Sequence, residues 1–334
     1  RGLLYPGYKK REVIKVLITG GSGFIGTNLI SFLLERGSYK VKSVDLATPK
    51  IESHKAVWEC VDIRDNGALA IFFEVFSPDM VVHLAARTDL RGATLEDYDS
   101  NTLGVENLIA VIKKTPSVKR VLFASSMYVC RPGYQPADMD DYAPHTVYGE
   151  SKVLTEKIIK EAGLNIPWAI FRPTSIWGPW FGEPYIDFFK IVLSRKYFHL
   201  GKRACSKTYG YIGNTVRQIE ALMKADGKDI NKRVFYIGDW PAYDISQWAE
   251  EIAEKRAIWI PRIPFFLFQI AGFFGDLLKL LGIKFPMTSF RLRNMTTDNI
   301  HDLTPIQKIM PVLPYSRKEG IDETLAWMTL EGKI

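Results

Sequence analysis

A chain of 334 residues, 47% apolar and 24% charged, can bury a sizeable core and falls outside the compositions of disordered, fibrous or disulfide-stapled proteins. Its net charge of +7 is spread over scattered Lys and Arg, apart from Lys9-Lys10-Arg11, and no nucleic-acid motif accompanies it; this argues against nucleic acid as a partner and leaves small anionic ligands. The three cysteines, Cys60, Cys130 and Cys205, lie far apart without a C-x-x-C pair, which excludes a disulfide framework and a zinc site and suits a reducing cytoplasm.

In chain order, Arg1 to Arg11 lacks the apolar run of a signal peptide. Apolar, β-rich runs follow at 13–19, 41–45, 56–61, 80–84, 118–125 and 168–171, separated by helical periodicities at 25–35, 68–76, 97–113 and 149–162. Continuous apolar strands alternating with helices predict an α/β, Rossmann-type doubly wound parallel sheet. After Arg172 the pattern changes. Pro and Gly become dense and elements shorter, which predicts a smaller C-terminal lobe. The expected division is 12–173 for dinucleotide binding and 174–334 mainly for substrate, with about 205–220 and 233–238 returning to the first unit. Ser316 and Glu319 form a capping-box pattern that opens a final helix through Ile321, Leu325 and Met328. The most apolar stretch, 263–283, is interrupted by Pro264, Gln269, Asp276 and Lys279, so it reads as a buried or interface helix pair rather than a membrane span, with peripheral membrane contact as the alternative.

The first strand runs directly into Gly20-Gly21-Ser22-Gly23-Phe24-Ile25-Gly26 and then a helix. Strand, glycine loop and helix together point to a pyrophosphate cradle: glycines let the backbone approach closely, and the helix start supplies free N–H groups. Asp45, at the end of the second strand and 19 positions after Gly26, can accept from ribose hydroxyls and repel a 2′-phosphate, which favours NAD over NADP. It can equally cap the following turn. Asp62 is placed for the adenine edge or, again, for a turn. Tyr148 and Lys152 share a helix face four residues apart, where an ammonium would lower the phenol's pKa and prepare it for proton transfer; a solvated helix face is the plainer reading of that spacing. Ser126 lies just past the strand 120–125, at the carboxyl edge where parallel sheets bind ligands.

Taken as a set, TGGSGFIG (19–26), Asp45, VDIRD (61–65), HLAA (83–86), Asn101, ASSMYV (124–129), YGESK (148–152) and RPTSIWGP (172–179) resemble the extended short-chain dehydrogenase/reductases, the NAD-dependent epimerase/dehydratase group that includes UDP-glucose 4-epimerase-like enzymes. The likeness is strong over residues 14–179 and weaker through YGYIGNTV (209–216) and YIGDW (236–240). It implies an enzyme with Tyr148 as catalytic base and acid, Lys152 holding the nicotinamide ribose, and Ser126 as the catalytic hydroxyl. Gly20, Gly23, Phe24, Ile25, Gly26, Asp45, Asp62, Ile63, Leu84, Ala85, Ala86 and Pro173 would border the cofactor with them. His83 would be a core histidine and Asn101 a structural residue.

The departures matter too. Ser126 is followed by Met127 and Tyr128 rather than the acid pair of dehydratases, Cys130-Arg131 replaces a usual Tyr-Gly, Thr174 and Ser175 stand where an asparagine is common, and Gly213-Asn214 replaces an acid. The resemblance therefore implies C4 epimerisation of a nucleotide-diphosphate sugar, UDP-linked as the first reading, through a transient keto-sugar. Arg87, Ser126, Thr174, Ser175, Arg203, Lys207 and Arg293 are the substrate candidates, with Arg291 beside them; Trp177, Trp180 and Tyr185 are candidates for ring stacking or for core. Relatives pair the helices at 97–113 and 149–162, which implies a homodimer. The alternatives are an NAD(P)-dependent oxidoreductase of a sugar, steroid or flavonol-type hydroxyl, the last two suggested by the apolar stretch, and a non-catalytic NAD-binding protein.

Overall fold

The computed structural model describes residues 13–201, 205–281 and 288–334. The first half alternates β1 (Ile14–Thr19), α1 (Phe24–Arg36), β2 (Tyr39–Asp45), β3 (Trp58–Cys60), α2 (Asn66–Phe76), β4 (Met80–His83), α3 (Asp99–Lys113), β5 (Arg120–Ala124), α4 (Val147–Glu161) and β6 (Trp168–Pro173). The second half is broken into shorter pieces: β7 (Ser175–Trp177), α5 (Tyr185–Leu193), β8 (His199–Leu200), β9 (Ser206–Lys207), β10 (Tyr209–Tyr211), α6 (Ile212–Lys224), α7 (Gly227–Ile230), β11 (Arg233–Ile237), β12 (Tyr243–Asp244), α8 (Ile245–Glu254) and β13 (Arg262–Ile263). The helices α9 (Phe265–Leu280), α10 (Ser289–Thr296), α11 (Thr304–Ile309) and α12 (Arg317–Leu330) complete it.

Seven strands form one parallel sheet in the order β11-β6-β5-β4-β1-β2-β3. The order reverses between β1 and β4, the doubly wound arrangement expected from the sequence. β11 joins the far edge from the second half, pairing with β6 as Arg233–Ile237 against 169–173. Because strand side chains alternate, each strand feeds two cores. Val16 and Ile18 of β1, Leu122 of β5 and Phe171 of β6 enter one, with Leu29 and Leu33 of α1 and Ile219 of α6. Leu17, Val121, Phe123 and Ile170 enter the other, with Phe73 of α2 and Leu108 of α3. The strands are buried on both sides, which is why they read as continuous apolar runs.

Local chemistry sets the helix ends. Asp65 caps α2 by accepting from Ala68 N at 3.0 Å, Thr146 caps α4 through Gly149 N at 3.0 Å, and the Ser316–Glu319 capping box of α12 is complete. Gly37 closes α1 at φ 64°, a backbone shape that suits glycine.

One buried charge pair ties α4 to the sheet. Arg172 on β6 donates Nε and Nη2 to the two oxygens of Glu156, each at 2.8 Å, and both side chains are 0% exposed. The remaining Arg172 donors reach Met139 O at 2.7 Å and Tyr236 Oη at 3.2 Å, while Tyr142 donates to Glu156 at 2.9 Å. Burial pushes the Glu156 carboxyl up, but the Arg172 hydrogen bonds and charge outweigh it and hold the group below its ordinary value.

Of the forms expected for segment 263–283, a buried or an interface helix pair, the described part does not show the buried one. That part, mainly α9, leaves Phe266, Ile270, Phe273 and Leu277 exposed and buries Phe268. Among the described residues, α9 packs against α10, and Phe268 stacks on Phe198 at 5.3 Å. Among the described residues no helix is long and apolar enough to cross a membrane.

Glu156→Gln should destabilise the chain by about 3–5 kcal/mol, because it strands the Arg172 charge, whereas Glu156→Leu combined with Arg172→Met should cost much less. Denaturant melts of the two variants check this; equal losses would mean that the pair does not act as a unit.

Candidate active site

In a parallel sheet every strand leaves at the same edge, so the loops after β1, β2, β4, β5 and β6 converge. They line a cavity of about 960 Å³. Gly20, Gly23, Phe24, Ile25, Gly26, Asp45, Asp62, Ile63, Leu84, Ala85, Ala86, Ser126, Tyr148, Lys152 and Pro173, all singled out in the sequence, border it.

The glycine loop is shaped by backbone, not side chains. Gly20 has φ 75°, and a Cβ there would lie 2.5 Å from Ala85 N; a Cβ on Gly26 would lie 2.3 Å from Gly20 O. α1 begins at Gly23 with no side-chain cap and no acid in its first turn, so its leading N–H groups are left for an anion. This cradle fits a dinucleotide pyrophosphate. Asp45 accepts from Ser22 N and Ala47 N, each at 3.0 Å. It therefore caps the turn and lines the cavity at once, so the two readings are not exclusive. Asp62 is likewise shared: it pairs with Arg64 at 2.7 Å while bordering the cavity.

Three elements bring the reacting groups together. Ser126 caps a 3₁₀ turn after β5, its Oγ accepting from Tyr128 N at 3.1 Å. Gly149 lets α4 lie against that turn, since a Cβ there would meet Tyr128 O at 2.4 Å. Tyr148 is thereby held beside Ser126, buried between the rings of Tyr98 and Tyr128 at 6.0 and 5.9 Å. One turn further along α4, Lys152 Nζ donates to Ala124 O at 3.0 Å.

The electrostatics correct one expectation. Burial pushes the Tyr148 phenol up to about 12; the Ser126 hydrogen bond pulls it down, and Tyr128 and Tyr98 add to the rise. Acidification by Lys152 is therefore not what governs Tyr148 here, because burial wins. Burial also lowers Lys152, to about 8, with Glu156 opposing. His83 behaves as a core histidine: its Nδ1 bonds Thr19 Oγ1 at 2.7 Å, and burial followed by the Lys152 charge lowers it to about 3. Asn101 joins α3 to the loop after β4 and to α4, accepting from Arg87 N at 2.8 Å and donating to Ser151 Oγ at 3.0 Å.

The substrate candidates divide. Arg87 and Thr174 line the cavity with Ser126; Ser175 stands behind it, accepting from the lining residue Tyr185 at 3.0 Å. Lys207, on β9, and Arg293, on α10, are not among the lining residues, and Arg203 and the Arg291 side chain lie outside the described residues. Trp177 is core, 0% exposed among Phe189, Tyr211 and Trp248. Trp180 packs on Trp327. Residues that the sequence reading passed over are Tyr128, whose ring stacks on His145 at 5.7 Å, and Glu156. The i, i+4 spacing of Lys152 and Glu156 was the available signal for the latter.

Residues 16–238 match the model of the NAD dependent epimerase/dehydratase family. The chain is 29% identical over 334 residues, covering 95% of it and 96% of the relative, to the N-acetyl-alpha-D-glucosaminyl-diphospho-ditrans,octacis-undecaprenol 4-epimerase of Escherichia coli O157:H7. It is 28% identical over 262 residues, 73% of it and 70% of the relative, to a 3 beta-hydroxysteroid dehydrogenase/Delta 5-->4-isomerase of Mycobacterium tuberculosis. In fold it resembles the UDP-glucuronic acid 4-epimerase of Bacillus cereus, solved with UDP-glucuronic acid and NAD, at a TM-score of 0.73 and 19% identity over 95% of this chain and 100% of that one.

The lowered lysine gives a signed test. Between about pH 8 and 10 the unfolded chain keeps a proton on Lys152 that the folded chain has lost, so this group adds stability as pH rises through that window. Lys152→Met should flatten the rise in denaturant melts at the two ends; an unchanged slope would show that the amine is not buried as described.

Proposed function

The chain belongs to the NAD dependent epimerase/dehydratase family, and on that premise we propose that it epimerises C4 of a hexose carried on a diphosphate, a UDP-linked sugar being the first reading. The observation that carries this is the convergence of Tyr148, Lys152 and Ser126 on one cavity with no acid following Ser126, which leaves proton and hydride transfer without elimination of water.

When bound, NAD supplies a hydride acceptor that later returns the hydride. Gly20, Gly23 and the start of α1 would hold its pyrophosphate, Asp45 the adenosine ribose, Asp62 and Ile63 the adenine end, and Lys152 with Pro173, Leu84, Ala85 and Ala86 the nicotinamide end. Tyr148 Oη is the proton carrier: it takes the proton from the sugar 4-hydroxyl and gives it back to the 4-keto oxygen after the sugar has turned. Ser126 Oγ would donate its one proton to the phenolate before the substrate proton is taken and to the substrate oxygen once the phenol is protonated. Arg87 and Thr174 would face the substrate, with Ser175 behind them holding Tyr185. The lobe after residue 173 would hold the carrier, with Arg203, Lys207 and Arg293 as cations for its diphosphate.

A second carrier is supported by the likeness over nearly the whole chain to an enzyme named for a diphospho-undecaprenol substrate. A sugar 1-diphosphate is common to both carriers, so the chemistry at C4 is the same. A hydroxysteroid-type oxidoreductase is the reading favoured by the partial likeness to the steroid enzyme. Three cysteines without a disulfide between them support a cytoplasmic setting. A homodimer through α3 and α4 is supported by the exposed Leu103 and Leu154 on those helices.

Tyr148→Phe should lower turnover by about 10²- to 10⁴-fold while NAD is still released on denaturation. The assay offers UDP-, GDP-, dTDP- and CDP-hexoses and a polyprenyl-diphosphate hexosamine and reads the C4 epimer by NMR. Stoichiometric accumulation of NADH with no epimer would overturn epimerisation in favour of net oxidation. Light scattering should give twice the chain mass, and Leu154→Glu should halve it; a monomeric wild type would refute the dimer.

A further inference from the structure

We propose that α9 is an interfacial helix that docks this protein on an anionic lipid bilayer. Phe266, Ile270, Phe273, Leu277 and Leu281 stand exposed along one line, with Leu267 and Phe274 beside them. At 100° per residue all seven fall within an arc of about 120°. The opposite side holds the helix to the protein: Phe268 is buried and stacks on Phe198 at 5.3 Å, Gly272 faces Ser289, and Asp276 accepts from Ser289 N at 3.2 Å. A continuous apolar stripe facing solvent is uncommon on a monomeric protein and marks a surface that something covers.

Charge identifies what covers it. Between Glu254 and Asp298 the sequence has seven basic residues and one acid, so this stretch carries six of the chain's seven net positive charges. The acid, Asp276, is on the protein-facing side of α9, while Arg262 and Lys279 stand exposed near its two ends. Trp259 is 80% exposed just before them, the residue type that settles at a membrane–water boundary. Apolar stripe, cationic margin and boundary tryptophan together are complementary to an anionic membrane surface. A second copy fits less well, since an isologous contact would bring two such cationic stretches together. The 16 residues of α9 extend about 24 Å, short of the roughly 30 Å of a hydrocarbon core, so the helix lies in the interface and does not cross it.

This inference stands apart from the reaction proposed above, and its test does not read activity. The full chain is floated with phosphatidylcholine vesicles with and without about a third phosphatidylglycerol. It should float with the anionic vesicles and be released in part by high salt. Phe266→Glu combined with Phe273→Glu should weaken flotation by about tenfold or more with an unchanged melting temperature, because both side chains are already exposed. Ile71→Glu, an equally exposed apolar position on α2, should leave flotation intact. Failure of the wild type to float, equal flotation of the stripe variant, or a stripe variant that only shifts the solution mass from dimer to monomer would each overturn the proposal.

Discussion

The Arg172–Glu156 pair is the constraint on which the site's geometry rests. Two charges removed from water are costly unless their hydrogen bonds are met, and here the fork of Arg172 is matched by a carboxylate, a carbonyl and a phenol. Tyr142 and Tyr236 also present ring faces to the guanidinium, at 5.4 and 5.2 Å. Glu156 is one helical turn beyond Lys152 and two beyond Tyr148, so fixing Glu156 on β6 fixes the roll of α4. That roll decides whether the phenol faces Ser126 or the neighbouring helix. Gly149 and the Thr146 cap complete the placement by letting the start of α4 touch the turn that carries Ser126.

The same burial that makes the geometry rigid sets the protonation states. Tyr148 and Lys152 are both taken out of water, and burial disfavours whichever form is charged. The phenol is therefore driven to its neutral form and the amine toward its own. The two groups share a helix face, as the spacing implies, but loss of solvent is the largest cause of the shift at each, raising the phenol and lowering the amine. His83, at the end of β4, is kept neutral by the same cause and acts as a brace for the loop after β1.

The second half of the chain serves the first in two ways. β11 extends the sheet, and buried Asp239 just beyond it accepts from Tyr211 N, Asn214 Nδ2 and Tyr243 Oη, closing that end of the molecule. The stretch around α9 and α10 does something different. It adds little to the core and concentrates charge and apolar surface outward, and the chain leaving it returns at Asn299 to within 4.0 Å of Met127 Sδ, beside the Ser126 turn. The segment that follows α10 and the Ser126 turn are thus neighbours in space.

Sequence alone determined the elements whose cause is local. The parallel sheet, the glycine cradle, the capping box and the Tyr148–Lys152 face follow from period, cap chemistry and spacing over a few residues, and β11 was legible as a returning strand from its apolar run. Tertiary structure decided what depends on remote neighbours. Whether Asp45 caps a turn or lines a cavity turned out to be a matter of both, because it accepts from Ser22 N and Ala47 N while bordering the cavity. The acidity of Tyr148 was set by burial among rings 20 and 50 residues away in sequence. An apolar run such as 263–283 states that a face avoids water but not what covers it; only the fold showed that, among the described residues, Phe266, Ile270, Phe273 and Leu277 stand exposed. Local bonding can be read along a chain, whereas desolvation is a property of everything that surrounds a group.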